Sequence, residues 1–152
     1  MRALSYYHAM DLFGNVPFVD ETDPIGVFTP DQITRSDLFD WIEAELLSIE
    51  DNLLEPASVP YGRASKAAAQ TLLAKMYLNA EVYTSNPRWD DCIVYCNKVI
   101  DNGGFSLSTS YSELFMADNH TSSEIIFPVC FDGQYTQTWG GTTFLILSLI
   151  HI

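Results

Sequence analysis

The chain has 152 residues, enough for one domain with a hydrophobic core, and it sets 7 basic against 20 acidic side chains for a formal net charge of −13. That balance excludes a phosphate-binding surface, because nucleic-acid recognition is built on Lys and Arg neutralising phosphates, and an anionic membrane face is disfavoured for the same reason. The longest apolar run, residues 142–152, is too short to span a bilayer, and no stretch has the form of a secretory signal.

In chain order, the pattern predicts a first helix over residues 2–13. Leu4, Tyr7, Met10 or Asp11, and Leu12 sit near one stripe, and Gly14 supplies the stop. A long loop follows to about Thr34, punctuated by Pro17, Pro24, Gly26 and Pro30; connections of this length often carry function. A second helix, capped by Thr34 or Ser36, carries Leu38, Ile42, Leu46, Ile49 and Leu53 at spacings of three and four and ends near Glu55 and Pro56. Ser65 is placed to cap a third helix over residues 66–83. There Ala67, Ala68, Ala69, Ala74 and Ala80 allow close approach of another helix.

Asn86 as cap with Pro87 at the first helical position predicts a fourth helix running to Ile100, stopped by Gly103 and Gly104. Its expected buried stripe is Trp89, Ile93, Cys96 and Ile100, and Trp41 is expected in the core beside the second helix. Beyond it the chain is mostly loop, with a short helical turn around residues 111–115 and a strand over residues 124–131 in which Pro128 favours an edge. Residues 132–145 read as an exposed, glycine-hinged loop.

Three cysteines, at 92, 96 and 130, make no disulfide framework and are expected as buried thiols; Cys92 and Cys96 alone are a weak metal signal. His8 is expected in a packing role among tyrosines, and His120 to be exposed. No Ser-His-Asp or Cys-His arrangement is evident. The two ends read as those of an internal fragment. Residues 1–4 are already helix-periodic with nothing ahead to cap them, and the chain stops inside "TTFLILSLIHI", whose last residues (about 147–152) resemble translated adapter sequence. The whole, 1–152, is therefore expected as one partial domain.

Ala3 and Tyr6 recur as Ala74 and Tyr77, followed by Ala9 and Ala80, an offset of about twice the 34-residue tetratricopeptide period. The repeat favours antiparallel or right-angled helix pairs.

Several passages in order then carry a resemblance. "RALSYYHAMDLFGNVPFV" is similar to the helix-plus-turn segment of SusD/RagB-type proteins. "YGRASKAAAQTLLAKMYLNAEVYT" resembles that family's Gly-Arg-Ala start to an Ala-rich helix, and "PRWDDCIVYCNKVIDNGGFSL" and "NHTSSEIIFPVCFDG" resemble the family's next two segments in the same order. The resemblance covers residues 2–146. It implies a mainly α fold, a SusD-like superhelix of tetratricopeptide-like helix pairs with long loops and a short β element near the C-terminus.

It further implies a non-catalytic, lipid-anchored protein of the outer membrane's extracellular face in Bacteroidota. Such a protein captures oligosaccharide and hands it to a SusC-like TonB-dependent transporter. The lipidation Cys lies outside these 152 residues. A tetratricopeptide-type scaffold that binds protein is the alternative.

For a sugar, flat aromatic faces and side-chain amides are the required chemistry. Tyr135, Gln137 and Trp139 have that make-up, with inward packing the competing role for Trp139. Asn15 offers an amide, with capping of its own turn as the competing role. No cofactor is implied. A structural calcium ion near Asp20, Glu21 and Asp23 is the one cation considered, and their spacing matches no EF-hand.

Overall fold

A computed structural model describes residues 1–116, 118–130 and 135. The helices are α1 (Arg2–Phe13), α2 (Arg35–Glu50), α3 (Lys66–Leu78), α4 (Ala80–Thr84) and α5 (Trp89–Asn102). Two-residue strands β1 (Val16–Pro17) and β2 (Gln32–Ile33) pair antiparallel, Val16 opposite Ile33. Helix α2 is the middle element, packing on α1, α3 and α4, while α3 and α5 share the most extensive contact. This mainly helical architecture of paired helices is the expected one. None of the helices is long and apolar enough to cross a membrane among the described residues.

The termini of the elements follow local chemistry. Gly14 closes α1 at a positive φ of 74°, which suits glycine, its N–H donating to the Met10 carbonyl at 2.9 Å. Of the two possible caps for α2 it is Thr34 that serves: its Oγ1 accepts the Asp37 N–H at 3.2 Å and donates to the Asp37 carboxylate at 2.6 Å. Ser65, fully buried, caps α3 by accepting the Ala68 N–H at 3.3 Å.

The core is one cluster. Met10, Leu38, Ile42, Leu73, Met76 and Ala80 are each 0% exposed, and Phe39 and Tyr77 nearly so. The stripe predicted on α2 is buried at Leu38, Ile42 and Leu46 and half-buried at Ile49 and Leu53. Trp41 is half-buried, its ring edge-on to Tyr6 at 5.4 Å and to Phe18 at 4.9 Å with the Arg2 guanidinium 5.0 Å from its centre.

Several expectations are corrected. Helix α2 stops at Glu50, where Asn52 and Leu53 turn back onto the Ile49 and Glu50 carbonyls, so Leu53 reaches the core from a turn. The Ala-rich helix is broken at Asn79 (φ −102°, ψ 9°), whose side-chain amide donates to the Lys75 carbonyl at 3.4 Å and competes with the helical ladder. Arg88, not Asn86, stands at the N-cap position of α5, without a side-chain capping bond, and Asn86 instead bonds back to Thr84.

The largest correction concerns the face of α5. Trp89, Ile93 and Ile100 are 56%, 58% and 72% exposed, and Cys96 is exposed too; Cys92 and Tyr95 are the buried residues. Tyr95 sets that rotation, with its ring 5.5 Å from that of Tyr77 and its hydroxyl donating to Glu50 at 3.0 Å. Cys130 is likewise exposed, so of the three thiols only that of Cys92 is buried. His8 is exposed and meets Tyr7 only ring to ring at 5.3 Å. Residues 124–130 form no strand, since Pro128 withholds a donor and no partner strand lies alongside among the described residues.

Candidate functional site

The long loop after α1 is tied down at its neck and along residues 18–23. Its neck is the β1–β2 ladder, extended by the Phe18 N–H donating to Asp31 at 3.0 Å. The Tyr6 hydroxyl bridges the N–H and carbonyl of Val19, each at 2.9 Å. Glu21 pairs with Arg2, which also holds Glu45 at 2.6 Å. Asp20 accepts from the N–H and hydroxyl of Thr22, and these bonds hold its carboxyl below the usual value. The acidic lip is thus occupied by its own turn and by Arg2. Among the described residues no three His, Cys, Asp or Glu side chains are gathered as a metal site.

Of the four residues singled out from the sequence, Asn15 and Tyr135 are described. The Asn15 side-chain oxygen accepts the Arg35 N–H at 2.9 Å, fixing the start of α2 against the end of α1. Tyr135 is 90% exposed. Gln137 and Trp139 lie outside the described residues.

Two buried-edge networks carry most of the charge chemistry. Glu43 accepts from the Tyr77 hydroxyl at 2.6 Å and from Arg88 at 3.0 Å, while Arg88 also pairs with Asp91 and lies 4.7 Å over the Tyr77 ring. Burial, then the Glu43 carboxylate, push the Tyr77 hydroxyl far above its ordinary value. Glu50 accepts from Gln70 at 2.9 Å and from Tyr95 and Lys98 at 3.0 Å each, joining α2, α3 and α5. A groove of about 620 Å³ opens beside Glu50, but Lys66, Lys98 and Gln70 along it are already paired, with Asp51, Glu55 and Glu50. Those groups hold the scaffold together.

A different concavity has the make-up of a binding site. Residues 106–109, 113, 116, 118, 119 and 121–123 line an open basin of about 520 Å³, within the range of small-ligand sites. Ser106, Ser108, Thr109, Thr121, Ser122 and Ser123 line it, together with Glu113, Asp118 and Asn119. Leu107 and Met116 supply apolar surface. The walls are joined by Ser106 and Ser123, whose hydroxyls meet at 2.8 Å, and by the Ser108 N–H donating to Glu124 at 2.9 Å. The Ser108 hydroxyl donates to Glu113 at 2.8 Å, and each serine oxygen retains acceptor capacity. The 3₁₀ turn Tyr111–Phe115 that presents Glu113 also carries Tyr111 and Phe115, 76% and 68% exposed, with their rings 5.2 Å apart.

Phe127 and Ile126, half-buried, sit with Leu4, Tyr7, Ala68 and Leu72 of α1 and α3 around a cleft of about 320 Å³. Gly62, at φ 79°, lies so close to Cys130 that an added Cβ would stand 2.9 Å from its sulfur. The Tyr61 ring meets His120 edge-on at 6.3 Å. The basin is hard to foresee from sequence because serine and threonine in an aperiodic stretch look like solvated loop. The available signal was their density beside two exposed aromatics.

Such a surface offers hydrogen-bond donors and acceptors to a polyhydroxylated ligand and apolar patches to its C–H faces.

Comparison with known proteins places the chain. No family model matches it. The starch-binding protein SusD of Bacteroides thetaiotaomicron is 41% identical over 150 residues, 96% of this chain and 26% of that protein. A SusD-like protein of Bacteroides ovatus is 28% identical over 130 residues, 82% of this chain and 23% of the relative. The crystal structure of a SusD-like protein from Bacteroides fragilis superposes with a TM-score of 0.71 at 25% identity, covering 88% of this chain and 26% of that one. The chain spans about a quarter of the length of the curated relatives it matches. Over that span, the chain belongs to the SusD/RagB family.

Proposed function

We propose that the chain contributes the helical scaffold and one ligand-facing segment of a non-catalytic glycan-capture protein. In this reading it holds oligosaccharide at the cell surface, lipid-anchored to the outer membrane, and passes it to a SusC-like TonB-dependent transporter. One observation carries the proposal: 41% identity across 96% of the chain to a protein named for binding starch. The serine- and threonine-lined basin at residues 106–123 supports it chemically, since saccharide recognition needs dense, bidirectional hydrogen bonding beside apolar surface.

Isothermal titration of the chain against a panel of oligosaccharides, maltohexaose included, tests the binding. Heat of binding with at least one saccharide is expected, and silence across the whole panel rejects the reading. Co-purification from outer membranes tests the partnership, with a TonB-dependent transporter as the expected companion.

A second reading, a scaffold that binds protein through its helix pairs, is favoured by the exposed stripe of Trp89, Ile93 and Ile100 on α5. Recovery of peptide partners that depend on those three residues, with no saccharide bound, would select it.

A further inference from the structure

Helix α5 carries more apolar surface than its neighbours cover. Cys92 and Tyr95 are buried and Val99 half-buried on the flank packed against α3, with the Tyr95 ring 5.5 Å from that of Tyr77. The adjoining flank presents Trp89, Ile93, Cys96 and Ile100, all exposed. Their spacing of four, three and four residues is the a/d alternation of a heptad, the seam along which one helix lies against another at a shallow angle. The bare seam is continuous with a formed interface, so a helix laid on it extends the packing that α3 begins.

Charge narrows what that helix carries. Asp90, Asn97 and Asp101 run along the open edge of the seam, and all three are exposed. Neither Asp is in an ion pair among the described residues, while the cations on and beside α5 are engaged, Arg88 by Glu43 and Asp91 and Lys98 by Glu50. No Lys or Arg follows Lys98, so nothing later in these 152 residues supplies a counter-charge. Two copies meeting through α5 would set acidic edge along acidic edge, which opposes the pairing.

The relatives extend far beyond the matched span, which is 26% of one and 23% of another. We propose that the seam of Trp89, Ile93, Cys96 and Ile100 receives an amphipathic helix from the part of the SusD-like fold outside these 152 residues, and that this helix sets Lys or Arg against Asp90 and Asp101. The inference rests on family membership and not on glycan capture. It makes the stripe an interface within the longer fold, where the scaffold reading would leave it open to foreign peptides.

Cys96 lies in the middle of the seam and reports on its cover. With Cys130→Ser in place and Cys92 buried, maleimide labelling reads Cys96. In the 152-residue chain it should label within about threefold of a free thiol peptide. In a hybrid carrying this chain in place of the matching span of SusD, labelling should be at least roughly a hundredfold slower. If the hybrid does not fold, synthetic peptides for the SusD helices outside the matched span are added to the 152-residue chain instead, and at least one should protect Cys96. The charge is read with two designed amphipathic peptides, with Leu at the a and d positions and either Lys or Glu beside them. At about 20 mM salt the Lys peptide should bind at least roughly tenfold more tightly. The Asp90→Asn, Asp101→Asn double variant should cut that preference to less than about threefold.

Fast labelling in the folded hybrid, or protection by none of the SusD peptides, overturns the proposal. Protection in the 152-residue chain alone overturns it too. Such protection assigns the face to a second copy where it grows with concentration, and to this chain's own residues where it does not. Equal binding of the Lys and Glu peptides overturns the stated charge of the docking helix. Glycan capture stands or falls separately, by saccharide titration.

Discussion

The helices from Arg2 to Asn102 and the segment beyond them, to Cys130, are held together by different means. In the helices, side chains as large as Phe39 and Tyr77 are almost fully enclosed, and Glu43 and Glu50 tie elements more than thirty positions apart in the sequence. Between residues 104 and 130 no described residue is buried. Order there comes from short-range bonds among serines, threonines and carboxylates, closed at the base by Ser106 with Ser123 and Ser108 with Glu124. Apolar burial supplies stability in one region, while exposed polar density in the other leaves groups available to a ligand. The two regions divide the work.

The sharpest way to break that comparison is to remove apolar volume from each side. Leu73→Ala, at a position 0% exposed, should cost about 3 kcal/mol in urea unfolding, as large-to-small core changes do. Leu107→Ala, 84% exposed, should change stability by less than about 0.5 kcal/mol. Comparable losses would mean that the segment carries part of the core energy.

The next largest effect is expected at Glu50. Three donors from α3 and α5 converge on its carboxylate, so Glu50→Ala strands the Gln70 and Tyr95 groups and should cost about 2 kcal/mol. Burial works against its ionisation, but the bonds from Gln70, Lys98 and Tyr95 outweigh burial and hold the carboxyl below its ordinary value. A depressed carboxyl stabilises the fold in full above the ordinary Glu value of about 4.3, and that share is lost as pH falls through the lower folded value. The deficit of Glu50→Gln against the native chain should therefore be constant near neutrality and shrink below about pH 4. A deficit that persists undiminished in acid would mean that packing, not charge, makes the hub.

Legibility from sequence divides along the same line. Caps and stops are local chemistry, so Gly14, Thr34 and Ser65 and the turn at residues 111–115 were legible. The facing of α5 was not. The helix is apolar through Cys92, Tyr95 and Val99 on one flank and Trp89, Ile93, Cys96 and Ile100 on the next, and periodicity cannot say which flank a neighbour covers. The choice was made by Tyr95 reaching Glu50, a contact 45 residues apart. The break at Asn79 hid inside an Ala-rich run, and the two-residue strands were too short to leave an alternating pattern. The basin was invisible because its walls are brought together across 17 positions by Ser106 and Ser123.

A smaller effect tests how the two regions are joined. Phe127 is half-buried against Leu4, Leu72 and Ala68, so Phe127→Ala should cost about 1 kcal/mol or a little more, well short of a full core truncation. Its signature should be local: faster amide exchange over residues 104–123 with α3 unchanged. Uniform loosening of both regions would show that the segment is integral to the helical core.

The smallest effect is expected where the helical region behaves like the segment. Ile93 lies in the middle of α5, yet it is 58% exposed, while Cys92 beside it is buried. If burial and not helical position governs stability, Ile93→Ser should fall within about 0.5 kcal/mol of the native chain, with part of any loss coming from the lower helix propensity of Ser. Tyr95→Phe on the opposite flank keeps the ring against Tyr77 and removes only the hydroxyl bonded to Glu50, so it should cost about 1 kcal/mol. The ordering of these two variants decides the facing of the helix. If Ile93→Ser proved the more damaging, the exposed stripe would be covered in solution, by a second copy or another part of the fold. Sedimentation at two concentrations would then separate those cases.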